Sequence, residues 1–375
     1  MAIILTLTIL SIAYSQKKTA ICDIEQYFEF DQNENILDHT TINQTDIMLT
    51  NSNIYLLDEN LLVLNSIKTP GSQDYECNRV TTHPLHLIFF LACQSQQQGG
   101  NPILYAYKAN GLNKYELFGD AIYLPSIKEK FDKMTIVGNS LLIPLSDKIL
   151  TFTTVISSTS WYLKTTSYTM DAQFLNVPTL NITSFDIYSY VKDVQTNFRI
   201  LISDFENGVY WIEAILKSNN IVPYNSGKIN VKNFYFLNSA KFRSVVILNA
   251  TDSSTLFVLQ TYGDGSFMFE NSFTSSQIYF YSTLNKYKDW NPISSIRNNQ
   301  NAILIPYQNY QKVVVINLFN IRSLKENELM VEPNDLLISA SIDDLILYFI
   351  SGNRLVFRSD VDALTRCTLM NYQEE

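Results

Sequence analysis

The chain has 375 residues, 46% of them hydrophobic and 17% charged, with a formal net charge of −9 and a pI near 5.0. That composition excludes disorder and requires a large buried core. The acidic balance, with Lys and Arg scattered rather than clustered, supplies no field for attracting phosphates and argues against nucleic acid or an anionic membrane surface as partner.

Residues 1–15, MAIILTLTILSIAYS, form an uncharged apolar run ending in small residues at Ala13 and Ser15, the pattern of a cleaved secretory signal. The run is shorter than the about 20 apolar residues a spanning helix needs, and no later stretch is long and apolar enough. The expectation is a mature chain of residues 16–375, secreted or in the secretory lumen, with no membrane span after cleavage. In that compartment Asn43, Asn181 and Asn249, each two residues before a threonine, are expected to carry glycan.

Four cysteines, Cys22, Cys77, Cys93 and Cys367, suit two disulfides among three possible connectivities. Cys77 and Cys93 bracket the apolar segment Leu85–Leu91 and are placed to bridge neighbouring strands. Cys22 and Cys367 lie near the two ends, where a bond would clasp the termini. Neither CxxC nor a Cys/His zinc spacing occurs, so no metal is expected.

Along the chain an apolar run, a polar tip and a second apolar run recur. Ile54–Leu57 and Leu61–Leu64 flank Asp58–Asn60; Leu87–Ala92 and Ile103–Tyr107 flank Gln94–Gly100; Leu141–Leu145 and Ile149–Val155 flank Ser146–Lys148. Phe198–Ile202 and Val209–Leu216 flank a tip that contains Asn207-Gly208, a strong hairpin turn. Val245–Leu248 with Leu256–Leu259, Ala302–Ile305 with Val313–Leu318, and Leu345–Ile350 with Leu355–Phe357 continue the series. That makes about seven hairpins at a mean spacing of about 49 residues. The runs are apolar on consecutive residues, as in strands covered on both faces. Trp161–Leu163 and Phe234–Leu237 supply further strands between them.

In this spacing the chain resembles the β-propeller superfamily over roughly residues 19–370, although Trp-Asp blade endings and paired-glycine kelch signals are absent. The resemblance implies an all-β, single-domain fold of about seven four-stranded blades, with each hairpin forming the two middle strands of a blade. It also implies closure by the N- and C-terminal segments, with a strand from Thr19–Phe30 completing the last blade and a Cys22–Cys367 bond locking it. Two β-sandwich domains are the structural alternative.

Motifs of chemistry are sparse. The histidines are His39, His83 and His86; His83-Pro84-Leu85-His86 has a metal-like spacing, but Pro84 opposes the helix that would aim both rings at one ion, so a solvated turn is expected. Asp31, Asn33, Asn35 and Asp38 suggest a calcium loop, yet Ile36 and Ile42 stand where such a loop needs Gly and Glu, which leaves a polar turn. No GxSxG elbow and no phosphate-cradling loop occurs; Gly263-Asp264-Gly265-Ser266 reads as a turn, and Asp343-Asp344 and Glu374-Glu375 as solvated pairs. Trp161, Trp290, Tyr307 and Tyr310 are the aromatic residues to test as contacts. The expected function is a non-enzymatic binding or scaffold module that offers loop faces to a protein partner, with no cofactor and no catalytic residue assigned. The alternative is a propeller glycoside hydrolase or carbohydrate-binding protein, since carboxylates at a central channel leave no linear motif.

Overall fold

The computed structural model describes residues 26–360, apart from 32, 44, 59, 72–73, 112–113, 132, 193–194, 205–207, 230–233, 240–244, 251–255, 261–278, 281–301, 307–311, 318–323, 329–336, 344–345 and 352–354; side chains are described only within residues 28–228. Cys22, Cys367, Trp290, Tyr307 and Tyr310 lie outside the described residues. Among the described residues every regular element is a strand.

In chain order, β1 (Gln26–Glu29) precedes a sheet of β2 (Ile36–Ile42), β3 (Thr45–Thr50), β4 (Asn53–Leu57) and β5 (Val63–Lys68). Next come β6 (Tyr75–Thr82), β7 (Ile88–Ser95) and β8 (Ile103–Ala109), the last paired on its outer edge by both β9 (Tyr115–Leu117) and β10 (Ile122–Tyr123). A third sheet holds β11 (Thr135–Val137), β12 (Ser140–Pro144), β13 (Lys148–Ile156) and β14 (Trp161–Asp171), and a fourth β15 (Ile182–Lys192), β16 (Gln195–Asp204), β17 (Gly208–Lys217) and β18 (Asn220–Ile229). Then follow β19 (Phe234–Ser239), β20 (Val245–Ala250), β21 (Leu256–Gln260) and β22 (Tyr279–Phe280); β23 (Ala302–Pro306), β24 (Lys312–Asn317) and β25 (Leu324–Glu328); and β26 (Leu337–Asp343), β27 (Ile346–Ser351) and β28 (Leu355–Asp360). Within each sheet successive strands are antiparallel neighbours, the meander of propeller blades.

The chain divides into two compact units, residues 30–288 and the joined ends 1–29 with 289–375. In the unit of the ends, β1 pairs antiparallel with β28, Gln26 opposite Arg358 and Glu29 opposite Leu355. A strand from Thr19–Phe30 therefore completes the sheet that the C-terminal strands begin, as the propeller resemblance implies.

In the unit 30–288, strict period-2 sorting explains the consecutive apolar runs. On β7, Phe89, Leu91 and Cys93 join Ile47, Leu49, Ile54 and Leu56 of the preceding sheet, while Ile88, Phe90 and Ala92 join Leu141, Ile143 and Trp161 of the following one. Leu142 and Ile149 then face Ile200, Ile202 and Ile212 of the fourth sheet. Every residue of such a strand is core because both sheet faces are covered.

The other face of the fourth sheet sets a buried ion pair among apolar Leu201, Val209 and Trp211. Arg199 donates to Glu213 at 2.6 Å, Asn225 donates to the second oxygen of Glu213 at 3.0 Å, and the Arg199 guanidinium stands 5.2 Å from the Trp211 ring centre. Both charges are buried, so the pair holds only because further hydrogen bonds complete it.

One hairpin differs from its expected place. Asp58–Asn60 joins the third and fourth strands of its sheet, and the middle turn is Asn51-Ser52 between β3 and β4. This shift lengthens the shortest interval in the series and makes the repeat more regular. Trp161, a contact candidate by sequence, is core: it is buried and meets Phe90 edge-on at 4.9 Å.

Cys77 and Cys93 are directly opposed on β6 and β7 and form a disulfide. Closing a loop with a sequence separation of 16 is worth about 3 kcal/mol. The double variant Cys77→Ala/Cys93→Ala is expected to lose roughly that much in urea unfolding, with a higher m-value because the unfolded chain is no longer cross-linked.

Candidate functional site

The first strand of each four-stranded sheet is an edge strand, with unpaired backbone groups along one side. Strands β2, β6, β15, β19 and β26, each at an edge of its sheet, carry one extra residue near their start. Register shifts fall between Ile36 and Asp38, Cys77 and Arg79, Ile182 and Ser184, Phe236 and Asn238, and Leu337 and Ser339. Each bulge has an apolar residue before it and a polar residue after it, because the inserted residue resets the alternation of faces.

Two of these polar residues belong to one cluster. Asp38 accepts the Val80 backbone N–H at 2.8 Å on one oxygen and the His39 N–H at 2.9 Å on the other. The carboxylate thus caps the open edge of β6 from β2, joining the first two sheets by their edges. Burial pushes the Asp38 carboxyl up to about 6, while the Val80 N–H and the charges of Arg79 and Lys133 pull it back. Lys133, just before β11, donates to the Phe185 carbonyl of β15 at 3.1 Å and lies 5.7 Å from that ring's centre. The cluster therefore links four consecutive sheets.

At the far end of β6 a concavity of about 290 Å³ is lined by Thr41, Ile42, Asn43 and residues 82–87. The sequence suggests a solvated turn here, and Pro84, Leu85, His86 and Leu87 are indeed exposed, but His83 is only 2% exposed. The ring is spent on structure. Nδ1 accepts the Leu85 N–H at 3.2 Å, which leaves Nε2–H to donate to Thr154 Oγ1 at 3.1 Å; Thr154 in turn donates to the Asn139 carbonyl at 2.8 Å. Both nitrogens are engaged, so the HxxH pair offers no two-histidine metal site even though its rings lie 4.8 Å apart. Burial and neighbouring His86 push the His83 imidazole down to about 4.

A second concavity, of about 350 Å³, lies at the opposite end of β7 and is lined by residues 94–100, Pro102 and Lys128–Lys130. Gln94 is buried and pairs its amide with the main chain of Phe131, donating to the carbonyl at 2.6 Å and accepting the N–H at 3.2 Å. Of the four residues read as one polar turn, Asp38 lies instead on β2, while the segment of Asp31, Asn33 and Asn35 is polar: Asn51 accepts the Asn35 N–H at 3.0 Å and donates to the Asn33 carbonyl at 3.1 Å. Asn43 and Asn181 are exposed, and Asn249 falls on β20. Nothing in the sequence marked Gln94, Lys133 or Asp38 as organising residues, since each acts across strands distant in the chain.

The two titrations work in opposite directions. His83 is depressed below its ordinary 6.5, so its contribution is present above 6.5 and lost as pH falls towards 4; Asp38 is raised above 3.8, so its contribution is present below 3.8 and lost as pH rises through about 6. Between pH 6.5 and 4 the urea-unfolding stability of the unaltered chain is expected to differ in slope from that of His83→Gln by up to about 1.4 kcal/mol per pH unit, the Asp38 titration being common to both. An equal slope in both proteins contradicts the buried neutral imidazole.

No family model matches the chain, and no curated protein matches it by sequence. Solved structures do match. A catalytically inactive virginiamycin B lyase from Staphylococcus aureus, with quinupristin, aligns at a TM-score of 0.54 and 9% identity over 89% of this chain and 97% of that one. The Cps50 (Swd1) β-propeller domain of Myceliophteria thermophila aligns at a TM-score of 0.53 and 10% identity over 88% of this chain and 99% of that one. At such identities the likeness is one of fold, and with the antiparallel four-stranded sheets and the β1–β28 pairing it makes the chain an all-β protein of β-propeller architecture.

Proposed function

We propose that residues 16–375, after loss of a signal at 1–15, form one secreted or luminal propeller domain that acts as a non-enzymatic binding module for another protein. The observation that carries this reading is the loop after β6. Leu85 and Leu87 are 53% and 46% exposed and stand beside exposed Pro84 and His86 on the rim of the 290 Å³ concavity. Single exposed leucines are ordinary, whereas two of them with Pro84 on one loop beside a mostly polar hollow give the apolar centre and polar surround that protein contacts use. The His83–Thr154 bond pins the base of the loop, which lowers the ordering cost of docking.

The fold does not choose between binder and enzyme, since one matched propeller is a lyase and the other a domain of Swd1. The exposed loop supports the binding reading. Asn43 and Asn181 are exposed, so both sequons are accessible to glycosylation, which supports the secretory reading.

The test compares the full chain with Leu85→Glu/Leu87→Glu, the two matched in thermal unfolding, by chemical cross-linking in the secretory fraction of the producing cells. A cross-linked protein that is lost in this variant but kept by Tyr123→Glu, at a remote exposed residue, is the expected result. Equal cross-linking by both variants overturns the assignment of this face.

A further inference from the structure

We propose that the 350 Å³ concavity at the β7–β8 turn is a separate binding site for an acidic saccharide unit, a hydroxyl-rich ring that carries a carboxylate. This inference stands apart from the protein-docking reading, because the two concavities lie at opposite ends of β7.

The walls are built before any ligand arrives. Gln94 locks the 128–131 segment through its two bonds to Phe131, the Gln96 N–H binds the Asp74 carbonyl at 2.9 Å, and the Gly100 N–H binds the Gln97 carbonyl at 3.0 Å. Ser95 Oγ accepts the Gln97 N–H at 3.1 Å. The main-chain frame is thus fixed, and only the exposed side chains of Gln96, Gln98 and Lys130 are ordered on binding. Its volume is at the lower end of small-ligand sites, of the order that one sugar ring needs.

The charge is sorted as well. Glu129, the carboxylate on the rim, accepts the Ser146 N–H at 3.0 Å on one oxygen and the Ser146 hydroxyl at 2.7 Å on the other. Lys128 donates to the Asn101 side-chain amide oxygen Oδ1 at 2.5 Å. Lys130 and the amides of Gln96 and Gln98 make no hydrogen bond among the described residues, so one ammonium and two amides remain for a ligand. Primary amides donate and accept together and therefore suit paired hydroxyls, while the ammonium suits a carboxylate. Among the described residues no aromatic side chain lines the hollow, which disfavours a flat apolar ligand.

The experiment titrates the full chain with glucuronate, glucose and inorganic sulfate, followed by ligand-observed NMR and calorimetry. Saturable glucuronate binding, about 5-fold tighter than glucose, is expected from one charge-assisted bond. Lys130→Gln is expected to bring the two sugars within about twofold of each other, Gln98→Ala to weaken both, and Lys114→Gln, remote and exposed, to change neither. Absence of glucuronate binding, glucuronate binding unaltered in Lys130→Gln, or sulfate binding as tightly as glucuronate each overturns the proposal. Loss of cross-linking through Leu85 and Leu87 leaves these titrations untouched, so the two readings fail separately.

Discussion

A strand edge left open in water exposes a row of unpaired N–H and C=O groups, and a chain made of separate antiparallel sheets has to deal with that at every sheet. This chain does so in two ways. In the unit of the chain ends, β1 lies along β28 and supplies the fourth strand. In the unit 30–288, the Asp38 carboxylate caps the Val80 N–H on the open side of β6, so a side chain does what another strand would do elsewhere. The burial that this requires is what lifts the carboxyl, so stitching two edges together and perturbing an acid are one event.

Much of the architecture was legible because it is carried by local pattern. The hairpins at Ser146–Lys148 and Asn207-Gly208 announce themselves by apolar runs around turn residues, and they became β12–β13 and β16–β17. The apolar run from Ile88 to Cys93 showed strands covered on both faces, and the period-2 division of its side chains between two cores is the outcome. The turn at Asn51-Ser52 was overlooked because Asp58–Asn60 has the more conspicuous polar tip, although Asn51 and Asn53 are ordinary turn-forming residues.

The sites were far less legible. Asp38 and Val80, His83 and Thr154, and Gln94 and Phe131 meet across 42, 71 and 37 positions of chain, and no linear spacing encodes such pairs. His83 is the instructive one. Sequence placed it beside Pro84 in a turn, which is correct, but its buried neutral ring depends on Thr154 from another sheet. The bulges had a faint signature, an apolar residue two places before a polar one in Ile36–Asp38, Cys77–Arg79 and Ile182–Ser184. That signature is too short to stand out before the registers are known.

The pairing of the N-terminal strand with the C-terminal sheet is the central claim, and amide hydrogen exchange read by mass spectrometry tests it most directly. Segments 26–29 and 355–360 are predicted to be protected together, and 355–360 to lose the part of its protection that comes from the β1 side when residues 16–29 are deleted. Exchange of 26–29 within seconds while 355–360 stays protected, or unchanged protection of 355–360 after the deletion, would contradict it.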